Sequence, residues 1–403
     1  MKPVSKVKKI RRYLFLKEIL FLAVTAFGGP QAHIAMFIKR LIKEKNYLTE
    51  EEFLELFSLC NMLPGPTSTQ TLTAVGFRCG GPTLAFLTLI VWILPAVTFM
   101  SLFVLGISYM DTDAIHNALQ FIPAMAVGFI VVAAYQISKK VIRNQLTIII
   151  LIASAIVTFY VRTPWIFPII IIIGGIISYY FSEKFTPNDK PILNVKWDNF
   201  ILFIGILIAS AVAGAITKYK PVLLFENTYR YGSLVFGGGD VLIPMMQQHF
   251  VDFKEYLTNE QFFNGFGLVK AMPGPVFSFS AYLGGMTLQD MGTSGQLLGC
   301  LLGTIGIFLP GTLLIFFIYP IWNQLKNYPI IHRSLEGINS VSAGLLVGAA
   351  FIFIVSVSLS KETGEVFNYT NIIITVLTSA LLFMKKIPSP IIVAITIIAG
   401  SLL

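Results

Sequence analysis

Long apolar runs separated by short polar stretches occupy almost the whole chain. Nine runs, at about 82–108, 114–137, 146–161, 164–181, 199–217, 294–320, 333–357, 370–384 and 388–403, read as membrane-spanning helices, set against a hydrocarbon core about 30 Å thick. Four further apolar segments, at about 14–42, 53–77, 222–249 and 262–284, are each interrupted by a cluster of Gly and Pro. Residues 183–198, rich in Pro, Asn, Asp and Lys, divide the pattern into two halves. The pattern predicts an all-α polytopic membrane protein with about 9–13 membrane segments, some of them broken or re-entrant.

The interruptions are duplicated. Phe27-Gly28-Gly29-Pro30 returns as Phe236-Gly237-Gly238-Gly239, Leu48-Thr49-Glu50-Glu51-Glu52-Phe53 as Leu257-Thr258-Asn259-Glu260-Gln261-Phe262, and Pro64-Gly65-Pro66 as Pro273-Gly274-Pro275. Each pair lies 209 residues apart (27 and 236, 48 and 257, 64 and 273). Later matches, Pro95 with Pro310 and Ile122 with Ile338, lie 215 and 216 apart, which places a small insertion near Thr287–Gly292. The expected organisation is a repeat within 1–182, a connecting part 183–222, and a second repeat over 223–403. The connecting part holds one unpaired helix at about 199–217.

One extra span between two equal units inverts the second relative to the first. Loop charges agree with this. Lys and Arg cluster at Lys2–Arg12, Lys39–Lys45 and Lys139–Arg143, whereas the equivalents in the later half are sparse and mixed with Asp252, Glu255 and Glu260. The basic loops are assigned to the cytoplasm and the acidic Asp111–Asp113 loop to the outside. The N-terminus is read as a retained cytoplasmic end, and the chain as a multi-pass protein of the plasma (inner) membrane. Both flanks of 14–42 are basic, so a re-entrant hairpin is favoured there over a single kinked span.

Composition narrows the chemistry. The chain has 403 residues, 55% hydrophobic and 12% charged, about half the charged fraction of a soluble domain. The net charge of +9 follows from basic cytoplasmic loops and does not point to nucleic acid. Three scattered cysteines and four scattered histidines offer no metal cluster and no disulfide framework. No phosphate-binding loop is present, so no cofactor is expected, and an enzyme is disfavoured because no nucleophile and acid–base set converge.

The breaks themselves suggest anion binding. A broken helix exposes backbone N–H groups at the start of the next half-helix, and its dipole favours negative charge there. Matching breaks in two halves of a membrane protein point to a transporter's substrate site. Candidate substrate-binding residues are Gly28, Gly29, Pro30, Gln31, Pro64, Gly65, Pro66, Thr67, Ser68 and Thr69 in the first half. In the second they are Gly237, Gly238, Gly239, Lys270, Pro273, Gly274, Pro275 and Ser278. The hydroxyls can donate to an oxyanion or cap helices. Lys270 either meets the anion or snorkels. Asp240, His33 and Glu55 are candidates for ion coupling, with capping or packing as the alternative. Arg78 reads as interfacial. Gly295, Gly299 and Gly303 have the spacing of close helix packing, inside the chain or in a homodimer.

At these motifs the chain resembles the chromate ion transporter family in its long, two-domain form: Phe27-Gly28-Gly29-Pro30 with His33-Ile34, Pro64-Gly65-Pro66 with Thr67, and the later copies through Asp240. The resemblance implies secondary export of chromate coupled to an ion gradient, resistance to chromate, and interaction with sulfate. The implied partners are an oxyanion, membrane lipid and a coupling proton. Transport of another small anion and an anion channel are the alternatives. Gly239 replaces Pro30 and Leu242 replaces His33 in the second half, so the halves are not expected to work identically.

Overall fold

The computed structural model describes residues 3–107, 117–181, 195–322, 329–359, 368–384 and 387–402. Among them there are helices and no β-strand. The Asp111–Asp113 loop and most of the 183–198 connection lie outside the described residues.

In chain order the helices are α1 (Pro3–Thr25), α2 (Gly29–Phe37), α3 (Glu50–Asn61), α4 (Thr67–Ile107), α5 (Ile122–Val141), α6 (Gln145–Tyr160), α7 (Ile166–Phe181), α8 (Asp198–Thr217), α9 (Lys220–Leu234), α10 (Gly239–Gln247), α11 (Asn259–Ala271), α12 (Phe279–Thr287), α13 (Gly292–Ile318), α14 (Pro329–Ser358), α15 (Tyr369–Met384) and α16 (Ser389–Leu402). Each interrupted apolar segment is a pair of helices parted at its Gly/Pro motif. Five stretches are long and apolar enough to span a membrane: Thr67–Ile107, Asn117–Val141, Asp198–Thr217, Gln289–Ile321 and Arg333–Ser358. Helices α6, α7, α15 and α16 are apolar but only 14–16 residues long. At 1.5 Å per residue they are shorter than a bilayer core of about 30 Å.

The chain forms two compact units, each drawing on both halves of the sequence. The first comprises Met1–Val104, Leu193–Ser233 and Met272–Asn323. Lipid tails are as apolar as Leu, so helices here associate through close packing. Helices α12 and α13 meet where Gly284 faces Gly299 and Gly303 faces Ser280, with no room for a Cβ; two of the three small residues spaced along 295–303 therefore serve packing inside the unit. Phe203, Tyr229, Leu313 and Leu314 form a buried cluster joining α8, α9 and α13, and the Tyr229 hydroxyl donates to the Phe203 carbonyl at 3.0 Å. Helix α4 breaks at Gly80–Gly81, where Gly81 adopts φ +77.

The second unit comprises Leu105–Ile192, Leu234–Ala271 and Gln324–Leu403. Its centre is α14, packed against α5, α6 and α7. Gly337 abuts Gly174, and Gly344 and Gly348 abut Leu151 and Ala155, again leaving no space for side chains. The outer faces of α6 and α7 carry exposed Ile149, Ile152, Ile156, Ile169, Ile172 and Ile176, a surface suited to lipid.

Local distortions recur at the sequence offset. Ile38–Glu44 and Gln248–Phe253 both widen into π-helical turns. Asn46 and Glu255, 209 residues apart, both take positive φ (50 and 52). The Tyr47 amide reaches the Leu41 carbonyl at 2.9 Å, and the Tyr256 amide reaches Phe250 at 2.8 Å. Thr49 and Glu52 exchange hydrogen bonds at the start of α3, as Thr258 and Gln261 do at the start of α11. These are reciprocal capping boxes that satisfy two otherwise orphaned backbone donors each.

Candidate functional site

The breaks depend on backbone angles that glycine alone adopts cheaply. Gly28 (φ +94), Gly29 (+77), Gly65 (+117), Gly237 (+88), Gly238 (+100) and Gly274 (+99) all lie on the left-handed side, where a side chain is strained. Gly28 and Gly238 stand at the N-cap positions of α2 and α10, and neither helix start has a side-chain cap. Pro30 sits one residue inside α2, while Pro66 and Pro275 stand one residue before the following helical turns. None of the three therefore occupies the first helical position, where Pro is most favoured. No restrained N–H is lost at either position, because the first N–H groups of a helix have no intrahelical partner.

In the first unit several predicted residues converge. Gln70 staples the Pro64-Gly65-Pro66 turn: its Nε2 donates to the Pro64 carbonyl at 2.8 Å and lies 3.4 Å from the Gly311 carbonyl. His33 is buried at 1% exposure. Its Nδ1 lies 3.3 Å from the Ser68 hydroxyl, and its ring meets Trp92 edge-on at 5.3 Å. The Trp92 indole donates to the Thr69 hydroxyl at 3.1 Å. His33 thus ties α2 to α4 from a buried position beside Thr67–Thr69. Thr71 turns its hydroxyl onto the Thr67 carbonyl at 2.8 Å.

The later copy differs. Ser278 matches Thr69, but Ile307 stands where Trp92 would be and Phe277 where Ser68 would be. Ser278 and Ser280 are wholly buried, and neither hydroxyl has a hydrogen-bond partner among the described residues. Leaving a buried hydroxyl unpaired costs roughly 1–3 kcal/mol, a cost an oxyanion acceptor would remove.

The two Pro-Gly-Pro turns pack reciprocally. A Cβ built on Gly274 would lie 3.1 Å from Ala96 Cβ, and one on Gly65 would lie 3.5 Å from Gly311 Cα. Ala96 and Gly311 lie 215 residues apart, the same offset as Pro95 and Pro310. The Gly274 amide also donates to the Ala26 carbonyl at 2.9 Å. The second break of the later half and the first break of the early half are neighbours.

In the second unit Asp240, in the first turn of α10, forms an ion pair with Lys270 near the end of α11. The side chains are 20% and 13% exposed. Lys270 Nζ lies 5.1 Å from the centre of the Phe266 ring and 5.9 Å from that of Phe129, within the range of cation–π attraction. Lys270 is therefore held inside the unit rather than extended toward water, and the Asp240 carboxylate engages Lys270 rather than capping α10. Gly237 is exposed while Gly238 and Gly239 are buried.

The remaining candidates lie apart from these clusters. Glu55 is half-buried on α3. The Gln31 backbone is helical in α2, and its side chain is outside the described residues. Arg78 reaches the Glu52 carboxylate at 2.5 Å. The Thr49 amide and then the Arg78 guanidinium hold the Glu52 carboxyl below its ordinary value. No group of His, Cys, Asp and Glu that could hold a metal occurs among the described residues. Sequence reasoning overlooked Gln70, Trp92 and Ala26. Gln70 and Trp92 had no copy in the other half, and Ala26 acts through its backbone.

Comparison with known proteins adds a family. The chromate transporter family model matches residues 14–179 and 222–401. The chain is 26% identical over 394 residues to an uncharacterised transporter of Methanocaldococcus jannaschii, covering 96% of this chain and 93% of that one. It is 24% identical to a probable chromate transport protein of Synechococcus elongatus (99% and 96% covered). It is 23% identical to a chromate transport protein of Pseudomonas aeruginosa (96% and 90% covered). No solved structure matches the chain.

Proposed function

The chain belongs to the chromate transporter family, and from that premise we propose a secondary transporter that exports chromate, or a tetrahedral oxyanion of like charge, and so confers chromate resistance. The observation that carries this reading is the pair of wholly buried, unpartnered hydroxyls of Ser278 and Ser280 directly after the left-handed Gly274 break. Pro64-Gly65-Pro66 with Thr67, Ser68 and Thr69, and the Gly28-Gly29-Pro30 start of α2, supply further N–H groups. An anion held there would lose its water to fixed donors, which a small dianion tolerates only where several donors converge.

Coupling is assigned to the Asp240–Lys270 pair. A carboxylate paired with an ammonium inside a membrane protein can exchange its partner for a proton, the role such groups play in proton relays. Gradient-driven export then requires Asp240 to change protonation during the cycle. Helix breaks of this kind belong to alternating access around a fixed site, with inverted repeats within 1–182 and 223–403 and α8 as the unpaired helix. The twofold family match over 14–179 and 222–401 supports that organisation. The basic loops support a cytoplasmic N-terminus in a plasma-membrane protein.

The test is chromate uptake into proteoliposomes with and without an imposed pH gradient, sulfate serving as competitor. Gradient-dependent chromate flux supports the proposal. Sulfate flux without chromate flux reassigns the substrate, and flux indifferent to any gradient converts the transporter into a channel.

A further inference from the structure

A cavity lies far along α1 and α4 from the helix breaks at 27–30 and 64–66. This cavity of about 310 Å³ in the first unit is lined by Arg11, Arg12, Phe15, Tyr47, Cys79, Gly80 and Leu84, at the lower end of the range of small-molecule sites, roughly 300–1,000 Å³. Its lining carries two guanidinium groups, a phenol and a thiol, and no carboxylate. The nearby carboxylates are engaged elsewhere: Glu18 by Arg40 at 2.6 Å and Lys45 at 3.1 Å, and Glu52 by Arg78. The cavity is therefore cationic.

It is also built. The Arg12 Nη2 donates to the Gly80 carbonyl at 3.0 Å, which fixes that guanidinium across the break in α4. Tyr47 packs edge-on against Phe15, ring centres 5.0 Å apart at 85°, and follows Asn46, one of three non-glycine residues with positive φ among those described. Guanidinium groups offer forked donors that match phosphate oxygens.

The surroundings select the source of the phosphate. Immediately past the arginines, α1 exposes Tyr13, Leu14, Leu20, Phe21 and Val24, and just past the Gly80–Gly81 break α4 exposes Phe86 and Leu87. Such apolar faces meet acyl chains, and basic side chains at the edge of an apolar face sit at headgroup level. We propose that this cavity binds the phosphate headgroup of an anionic phospholipid, with the acyl chains lying along the exposed faces of α1 and α4. Loss of one arginine should weaken binding about fivefold and loss of both about 25-fold.

The experiment uses full-length protein in nanodiscs of phosphatidylcholine alone or with phosphatidylglycerol, with lipid retained on the protein counted by native mass spectrometry and unfolding followed by temperature. The variants are Arg11→Gln, Arg11→Gln/Arg12→Gln, and Tyr47→Phe as a mild change. The expected result is selective retention of phosphatidylglycerol by the wild type, a rise in its unfolding temperature, and graded loss of both in the arginine variants at unchanged stability in phosphatidylcholine. Equal retention by all variants overturns the proposal. If the double variant is unstable in phosphatidylcholine, Arg11→Gln and Tyr47→Phe carry the decision on the same readout. Stabilisation by inorganic phosphate in phosphatidylcholine, without preference for phosphatidylglycerol, overturns the lipid assignment in favour of a free oxyanion site.

Discussion

The Gly274 amide donates to the Ala26 carbonyl across 2.9 Å. Ala26 directly follows α1, so its carbonyl is among those a helix end leaves without an intrahelical partner. One hydrogen bond therefore satisfies that carbonyl and joins the two kinds of break. Gly274 has φ +99, with Ala96 Cβ 3.1 Å from where its own Cβ would be. Gly274→Leu and Gly65→Leu are expected to abolish anion flux while membrane insertion persists, because the strain of a side chain there, on the order of 1–3 kcal/mol, falls on the turn itself. Flux at the wild-type rate in a folded Gly65→Leu/Gly274→Leu protein would remove the turns from the site.

Ser278 separates a binding role from a structural one. Its hydroxyl is wholly buried and unpartnered, so Ser278→Ala should leave the unfolding temperature unchanged or raise it. If the hydroxyl donates to the anion, the same change should raise the chromate KM on the order of ten- to a hundredfold, the worth of a hydrogen bond to a charged group. Thr69→Ala should behave differently, since it strips the Trp92 indole of its acceptor and should lower stability. An unchanged KM in Ser278→Ala rules out Ser278 as a ligand.

Much of this was legible in the chain. Gly28, Gly65, Gly237 and Gly274 announce the breaks, because glycine supplies their positive-φ backbone angles at least cost. The Thr-x-x-Glu and Thr-x-x-Gln spacings at Thr49 and Thr258 encode capping boxes, which repeat comparison alone does not decode. What was hidden is pairing at a distance. Asp240 and Lys270 each looked like an isolated charge, and only tertiary packing joins them. His33 stood out only as a coupling candidate and Trp92 only as part of an apolar run, and their hydrogen bonds to Ser68 and Thr69 depend on how α2 lies against α4. The two compact units interleave the sequence, which no local periodicity could reveal.

The Asp240–Lys270 pair predicts a pattern across three variants. Removing one partner of this partly buried pair strands the other charge, at a cost below the roughly 3–5 kcal/mol of a fully buried one. Asp240→Asn and Lys270→Met should each lower the unfolding temperature, and Asp240→Asn/Lys270→Met should recover most of the loss. If Asp240 carries the coupling proton, Asp240→Asn should also flatten the dependence of flux on the pH gradient, and the stabilised double variant should remain flat. Restored gradient dependence in the double variant would make the pair structural.

Acid stability offers a check on the fold outside the transport site. Glu52 receives the Thr49 amide and the Arg78 guanidinium, and both favour its charged form, so its folded pKa lies below the ordinary 4.5. A lowered folded pKa adds stability that is complete above the unfolded value and is lost as pH falls through the folded one. The contribution of Glu52 should therefore be full above about pH 4.5 and fade only below it. Glu52→Gln should lower the unfolding temperature at pH 7 and narrow the gap to wild type as the pH is taken below 4. Arg78→Gln should do the same more weakly, because the Thr49 amide remains and both side chains are partly in water, where an ion pair is screened. A wild-type-to-Glu52→Gln gap that stays constant from pH 7 to pH 3, measured by thermal unfolding in detergent, would show that the α3 cap does not stabilise through its charge.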